Sequence, residues 1–157
     1  MKRILFALSI GSLLLTACGS NMPNEVTAKD YWARSGMMDG NSAAYMLVQN
    51  GTGTDDELIG ASSEAARAVE LHLSQMKADG TMEMFQQQSI AIPAGKAVEL
   101  KPGSYHVMLI GLTHDLKAGD QITLTLKFKN RADITLTVPI KDAEGMGGSG
   151  MDGHQMP

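Results

Sequence analysis

The sequence of 157 residues predicts an all-β domain, built as an antiparallel sandwich or barrel. Short segments with apolar and polar residues in alternation recur along the chain, and glycine, proline and asparagine clusters separate them. The clearest segment is Gln121–Phe128, which has an apolar residue at every even position. Residues 134–138 repeat that pattern, and the connection at residues 130–132 predicts a hairpin between the two strands.

The first half of the domain contains three candidate strands, at residues 31–34, 44–48 and 58–61. A loop with glycine and methionine, residues 35–42, separates the first two. The turn sequence at residues 50–53 precedes the third strand.

Residues 63–76 fit two interpretations. The alanines and a possible serine cap favour a helix, whereas Val69, Leu71 and Leu73 alternate with Glu70 and His72, which favours a strand. We predict the strand from this period of two.

Three further strands are predicted in the second half. Asp79 and Gly80 turn the chain into the alternating residues 82–85, and proline–glycine sequences bracket a short strand at residues 97–100. The mostly apolar residues 105–110 are typical of a core strand.

The N-terminus has the pattern of a bacterial lipoprotein signal peptide: Lys2 and Arg3 precede an apolar run, and Ala17 and Cys18 form a lipobox-like boundary. We expect cleavage of residues 1–17, lipidation of Cys18 and a tether at residues 18–28. The domain then spans residues 29–141, and a flexible tail spans residues 142–157. Gly19 follows the cysteine where aspartate usually signals inner-membrane retention, which favours the outer membrane.

Composition narrows the possible functions. Removing Lys2 and Arg3 changes the formal charge from −4 to −6, so nothing indicates the basic patch that a nucleic-acid-binding protein needs. Cys18 is the one cysteine, and its lipidation leaves no thiolate for redox chemistry or a blue-copper site. No nucleophile motif surrounds any serine, so an enzyme is not expected.

Histidines and methionines supply the candidate chemistry. Side chains two apart on a strand share a face, so His106 and Met108 project together, as do Met82 and Met84. Imidazoles and thioethers are soft, neutral ligands that suit Cu(I). Taken singly, however, a methionine in a β-protein is more often part of the core than a metal ligand.

The spacing of these residues resembles the periplasmic copper chaperone family PCuAC. Ten residues separate the pair His72-Leu73 from Met84, and twenty-one separate Met84 from the triplet that starts at His106. Segments at residues 43–46, 58–63, 69–72, 92–95, 98–103, 106–112 and 119–120 also look like family segments. The resemblance covers about residues 30–140.

The resemblance implies a cupredoxin-like β-sandwich that binds Cu(I) through His72, Met84, His106 and Met108. It also implies delivery of the copper ion to the CuA subunit of cytochrome c oxidase, alongside Sco-type proteins. Leu73 departs from the family, where many members have methionine. In the loop, Met37 and Met38 replace expected prolines; they are extra weak copper contacts or, as we favour, merely loop residues.

The tail carries Met146, Met151, His154 and Met156, a possible secondary metal segment. Copper sequestration or acquisition without delivery is the nearest alternative function, and this tail favours it somewhat. A structural β-sandwich lipoprotein without metal is the other alternative.

Overall fold

The computed structural model describes residues 24–142 and is built from strands and their connections. Within these residues there is no helix long and apolar enough to cross a membrane. The strands, in chain order, are β1 (Val26–Arg34), β2 (Asn41–Asn50), β3 (Asp56–Ser62), β4 (Ala66–Met76), β5 (Met82–Gln87), β6 (Ile90–Ile92), β7 (Lys96–Leu100), β8 (Tyr105–Leu112), β9 (Gln121–Phe128) and β10 (Ile134–Lys141).

Hydrogen bonds connect the strands in the order β5-β4-β8-β2-β1-β10-β9-β3-β6, and β7 pairs with β2. β2 serves two neighbours on one side, because β8 pairs with its first residues and β7 with its last. β1 and β10 pair in parallel at Ala33–Ile140 and Arg34–Lys141, whereas the other pairings are antiparallel. The β-sandwich prediction is confirmed, with one parallel pair inside it.

One hydrophobic core collects side chains from both ends of this strand order. The even positions of β9 are buried as the alternation predicts: Ile122, Leu124, Leu126 and Phe128. Val107 and Leu109 of β8 enter the same core and are fully buried. Because neighbours along a strand point to opposite faces, the other face of β8 is left for different side chains.

The ambiguous segment is a strand from Ala66 to Met76, so the helical interpretation of residues 63–76 is excluded. β4 lies between β5 and β8 and pairs with both over most of its length. Alanine is the best helix former, but its advantage over most residues is less than about 1 kcal/mol, and pairing with the neighbouring strands outweighs it.

Two differences from the sequence-based expectations concern the core. β1 begins at Val26, within the segment expected to be the tether, because Val26 is buried and pairs with Asn50. β6, which has three residues, was not anticipated. Its pairing with β3 places Ile90 and Ile92 in the core.

Candidate metal site

The strand register of β4 and β8 brings two histidines together. His72 lies directly opposite His106, and Glu70 lies opposite Met108. Directly opposed residues in an antiparallel pair project from the same face. The ring centroids of His72 and His106 are 5.8 Å apart.

β5 adds a thioether to this face. Met84 lies opposite Ser74 of β4, and His72 lies opposite Gln86. Met84 is therefore a diagonal neighbour of His72, a relation in which the two residues lie about 7–8 Å apart and their Cβ atoms somewhat closer. All four residues of the expected ligand set thus lie on one face of three neighbouring strands.

An open cleft with a volume of about 560 Å³ lies over this face. His106, Met84 and Met108 line it, together with Met76 and Met82. Met84 is 56% exposed, whereas His106 is 4% exposed. Met76, Met82 and Met84 are therefore exposed to solvent, Met108 is partly buried, and the His106 imidazole lies at the inner end.

His106 is held in a defined orientation and protonation state. Its Nδ1 lies 3.0 Å from the carbonyl oxygen of Ser104 and donates a hydrogen bond to it. Burial lowers the pKa of the His106 imidazole, although the Ser104 carbonyl opposes this shift, and His72 lowers the pKa further. The ring is therefore neutral near pH 7, and its Nε2 lone pair is available to a metal.

His72 is oriented by a carboxylate. Its Nε2 lies 2.8 Å from Oε2 of Glu70, and its Nδ1 is buried without a hydrogen-bond partner. Ligating histidines commonly donate their second ring N–H to a carboxylate or a backbone carbonyl. Glu70 and Ser104 supply these two kinds of acceptor, one to each imidazole.

Aromatic rings flank the site on its β2 side. Tyr45 of β2 is buried, and its ring centroid lies 6.3 Å from that of His106 and 4.7 Å from that of Trp32. This packing restrains His106 from the side opposite His72.

Other candidate residues lie elsewhere or outside the described range. Met37 and Met38 are exposed in the loop before β2, and neither lines the cleft. Cys18 and the tail residues Met146, Met151, His154 and Met156 lie outside the described residues. Within residues 24–142, no three histidine, cysteine, aspartate or glutamate side chains form a metal-binding group, so a metal site on this face depends on its thioethers.

A family model described as LpqE-like, for putative lipoproteins, matches residues 26–140. The chain belongs to this LpqE-like family. A putative lipoprotein of Leifsonia xyli subsp. xyli is 32% identical over 156 residues, with 91% of this chain and 93% of the relative covered.

Solved structures agree with the family assignment. The copper-bound PCuAC domain from PmoF2 is 24% identical, has a TM-score of 0.63, and the match covers 75% of this chain and 93% of that one. The Cu(I) form of DR1885 from Deinococcus radiodurans is 25% identical, with a TM-score of 0.54 and coverage of 80% and 83%. The resemblance to PCuAC proteins is thereby confirmed, and the fold is theirs.

Within this LpqE-like domain, the contact of Glu70 with His72 was not among the sequence-based predictions. The sequence shows that Glu70 and His72 share a strand face, and a carboxylate two residues from a histidine is a signal for an orienting contact. Ser104 contacts His106 through its backbone carbonyl, which accepts a hydrogen bond from Nδ1. Every residue has such a carbonyl, so the sequence does not indicate this contact.

Proposed function

We propose that this protein is a copper carrier of the bacterial envelope, which binds Cu(I) through His72, Met84, His106 and Met108. The observation that supports this most is the convergence of two imidazoles and two thioethers on one face of β4, β5 and β8. Copper is the cargo of this site.

The donor set fits Cu(I) better than the other common metals. Thioether sulfur and imidazole nitrogen are soft ligands, and among residues 24–142 no carboxylate cage or thiolate accompanies them. Structures of similar domains, described as copper-bound and as Cu(I)-bound, support copper as the metal.

The geometry also suits transfer of Cu(I) to a partner protein. The His106 imidazole lies at the inner end of the cleft, His72 is its cross-strand neighbour outside the cleft lining, and the Met84 thioether is exposed at the side. A partner is able to replace the exposed thioether first and the imidazoles afterwards, so that the ion is never free in solution. Neutral ligands do not cancel the ion's charge, which leaves it attractive to a thiolate-containing acceptor.

The recipient that the family resemblance supports is the CuA centre of cytochrome c oxidase, with Sco-type proteins as partners. Membership of a lipoprotein family supports attachment through a lipidated Cys18. Gly19 after that cysteine favours the outer membrane, with the domain facing the periplasm.

A competition titration with Cu(I) tests the binding site. We expect tight one-to-one binding at this site. His106→Ala combined with Met108→Ala should lower the affinity roughly 100-fold or more, because the double variant lacks the two proposed ligands on β8, one imidazole and one thioether. The matched control is His114→Ala with Met37→Ala, which removes the same residue types from exposed positions away from the cleft. Equal affinity of the double variant and the control would exclude this site.

Delivery requires a separate measurement in cells. Deletion of the gene at limiting copper should lower the CuA content and oxidase activity, and the intact gene should restore them. Full CuA loading in the deletion strain would instead support the alternative of copper sequestration or acquisition.

A further inference from the structure

The β4–β5 hairpin exposes three methionines beside the proposed copper site. Met76, Met82 and Met84 are 72%, 51% and 56% exposed, respectively. An apolar side chain stabilises a fold in proportion to the area that it removes from water, so these three exposed side chains contribute little to stability. Packing in the core therefore does not explain why methionines stand at these positions.

The three thioethers share one face of the hairpin. Met76 lies directly opposite Met82 in the β4–β5 register, so the two side chains are nearest cross-strand neighbours. Met82 and Met84 are two residues apart on β5 and project from the same side.

All three methionines also line the cleft that contains His106 and Met108. The methyl group of Met82 approaches the turn at Gly103, where a Cβ atom would lie 4.0 Å from it. Thioether groups therefore extend from the outer end of the hairpin, at Met76, to the ligands on β8.

We propose that Met76, Met82 and Met84 form an outer, thioether-only site for Cu(I), through which the ion enters and leaves the inner site. This proposal rests on the proposed function. Met84 belongs to both sites, so the ion moves inward when imidazoles replace the thioethers of Met76 and Met82. Each step exchanges one neutral ligand for another, and the oxidation state of copper does not change.

The outer site is tested first without the imidazoles. The full chain carrying His72→Ala and His106→Ala, labelled with ¹³C at methionine methyl groups, is titrated with Ag(I), a redox-inert ion with similar ligand preference. We expect the Met76, Met82 and Met84 methyl signals to shift together, and single Met→Leu changes assign the signals. Absence of any shift at Met76 and Met82 in this folded variant would overturn the proposal.

Transfer kinetics provide a second test in a variant that keeps both imidazoles. Met76→Leu with Met82→Leu retains apolar volume at two exposed positions, so the fold should persist. We expect Cu(I) transfer to a chelator to slow several-fold, while the equilibrium affinity changes by less than threefold. The matched control, Met37→Leu with Met38→Leu, should transfer copper at the wild-type rate.

The two proposals fail in different ways. If the Met84 and Met108 methyl signals of the wild-type chain do not respond to Cu(I), the inner site is wrong. If they respond but transfer in Met76→Leu with Met82→Leu is as fast as in the control, the outer site is wrong and the inner site stands.

Discussion

Among the proposed copper ligands, His72 has two ring nitrogens with unequal surroundings. Nε2 contacts the Glu70 carboxylate, and Nδ1 is buried without a partner. A buried nitrogen that makes no hydrogen bond is costly, and a metal ion bound there removes that cost. The arrangement therefore favours Nδ1 of His72 and Nε2 of His106 as the two nitrogen ligands.

Replacing Glu70 tests this assignment. We expect Glu70→Ala to weaken Cu(I) binding about 10-fold, because loss of an orienting partner typically costs 10–100-fold in metal affinity. Glu70→Gln keeps an acceptor oxygen and should have the smaller effect. The measurement is the same Cu(I) competition titration, and tighter binding by Glu70→Ala would mean that Glu70 competes with copper for Nε2.

The sequence predicts part of this site for a simple reason. His106 and Met108 lie two residues apart on one strand, and side chains two apart on a strand share a face. The partnership of His72 and Met84 with them depends on which strands pair and in what register, which is non-local information. Only the resemblance to PCuAC proteins pointed to these two residues.

At the scale of one element, one face of β8 lines the cleft and the other packs in the core. His106 and Met108 face the cleft, whereas Val107 and Leu109 are fully buried in the core. The strand therefore ties the ligand geometry to the packing of the whole sandwich.

Substitutions at adjacent positions of β8 should separate the effects of these two faces. Leu109→Ala should lower the free energy of unfolding by about 2–5 kcal/mol, because it leaves a cavity, and should leave the Cu(I) affinity of the folded protein nearly unchanged. Met108→Leu preserves volume and should cost less than about 1.5 kcal/mol while weakening Cu(I) binding. Denaturant unfolding and copper titration of both variants check this, and the reverse pattern would contradict it.

Strand length decides which elements the sequence reveals. β9 is eight residues long, so its alternation is plain. β6 has three residues before Pro93, too few to show a period. β4 was ambiguous because its first residues include helix-favouring alanines, and only its two neighbours make it a strand.

At the scale of the molecule, a buried ion pair connects distant parts of the chain. Asp56 at the start of β3 is buried and pairs with Arg131 in the β9–β10 connection. Its Oδ1 also accepts hydrogen bonds from the backbone N–H of Glu57, at 2.7 Å, and of Asn130, at 3.1 Å. Burial raises the pKa of the Asp56 carboxyl, but these donors and the Arg131 charge outweigh burial and lower it below 3.8.

This lowered pKa predicts how stability depends on pH. The folded state favours the ionised carboxylate, so its contribution is fully present above about pH 4 and is lost as the pH falls through the lower folded pKa. Asp56→Asn should destabilise the protein by about 3 kcal/mol at pH 7, since it leaves Arg131 without its charge partner. Between pH 4 and pH 2, this difference in unfolding free energy should shrink.

Denaturant unfolding over that pH range makes the measurement. Asp133→Asn, an exposed carboxylate in the same connection, is the matched control and should follow the wild-type pH profile. A difference between Asp56→Asn and wild type that stays constant with pH would contradict the assignment.

The length of β1 sets the distance between the N-terminal end of the domain and the cleft. The strand starts at Val26, and its last residue, Arg34, lines the cleft over the proposed metal site. Nine strand residues at about 3.3 Å each span roughly 26 Å. For the proposed copper carrier with a lipid on Cys18, a strand of this length separates its first residue from the cleft by most of the domain, so the expected copper acceptors are proteins that reach this distance from the membrane surface or diffuse freely.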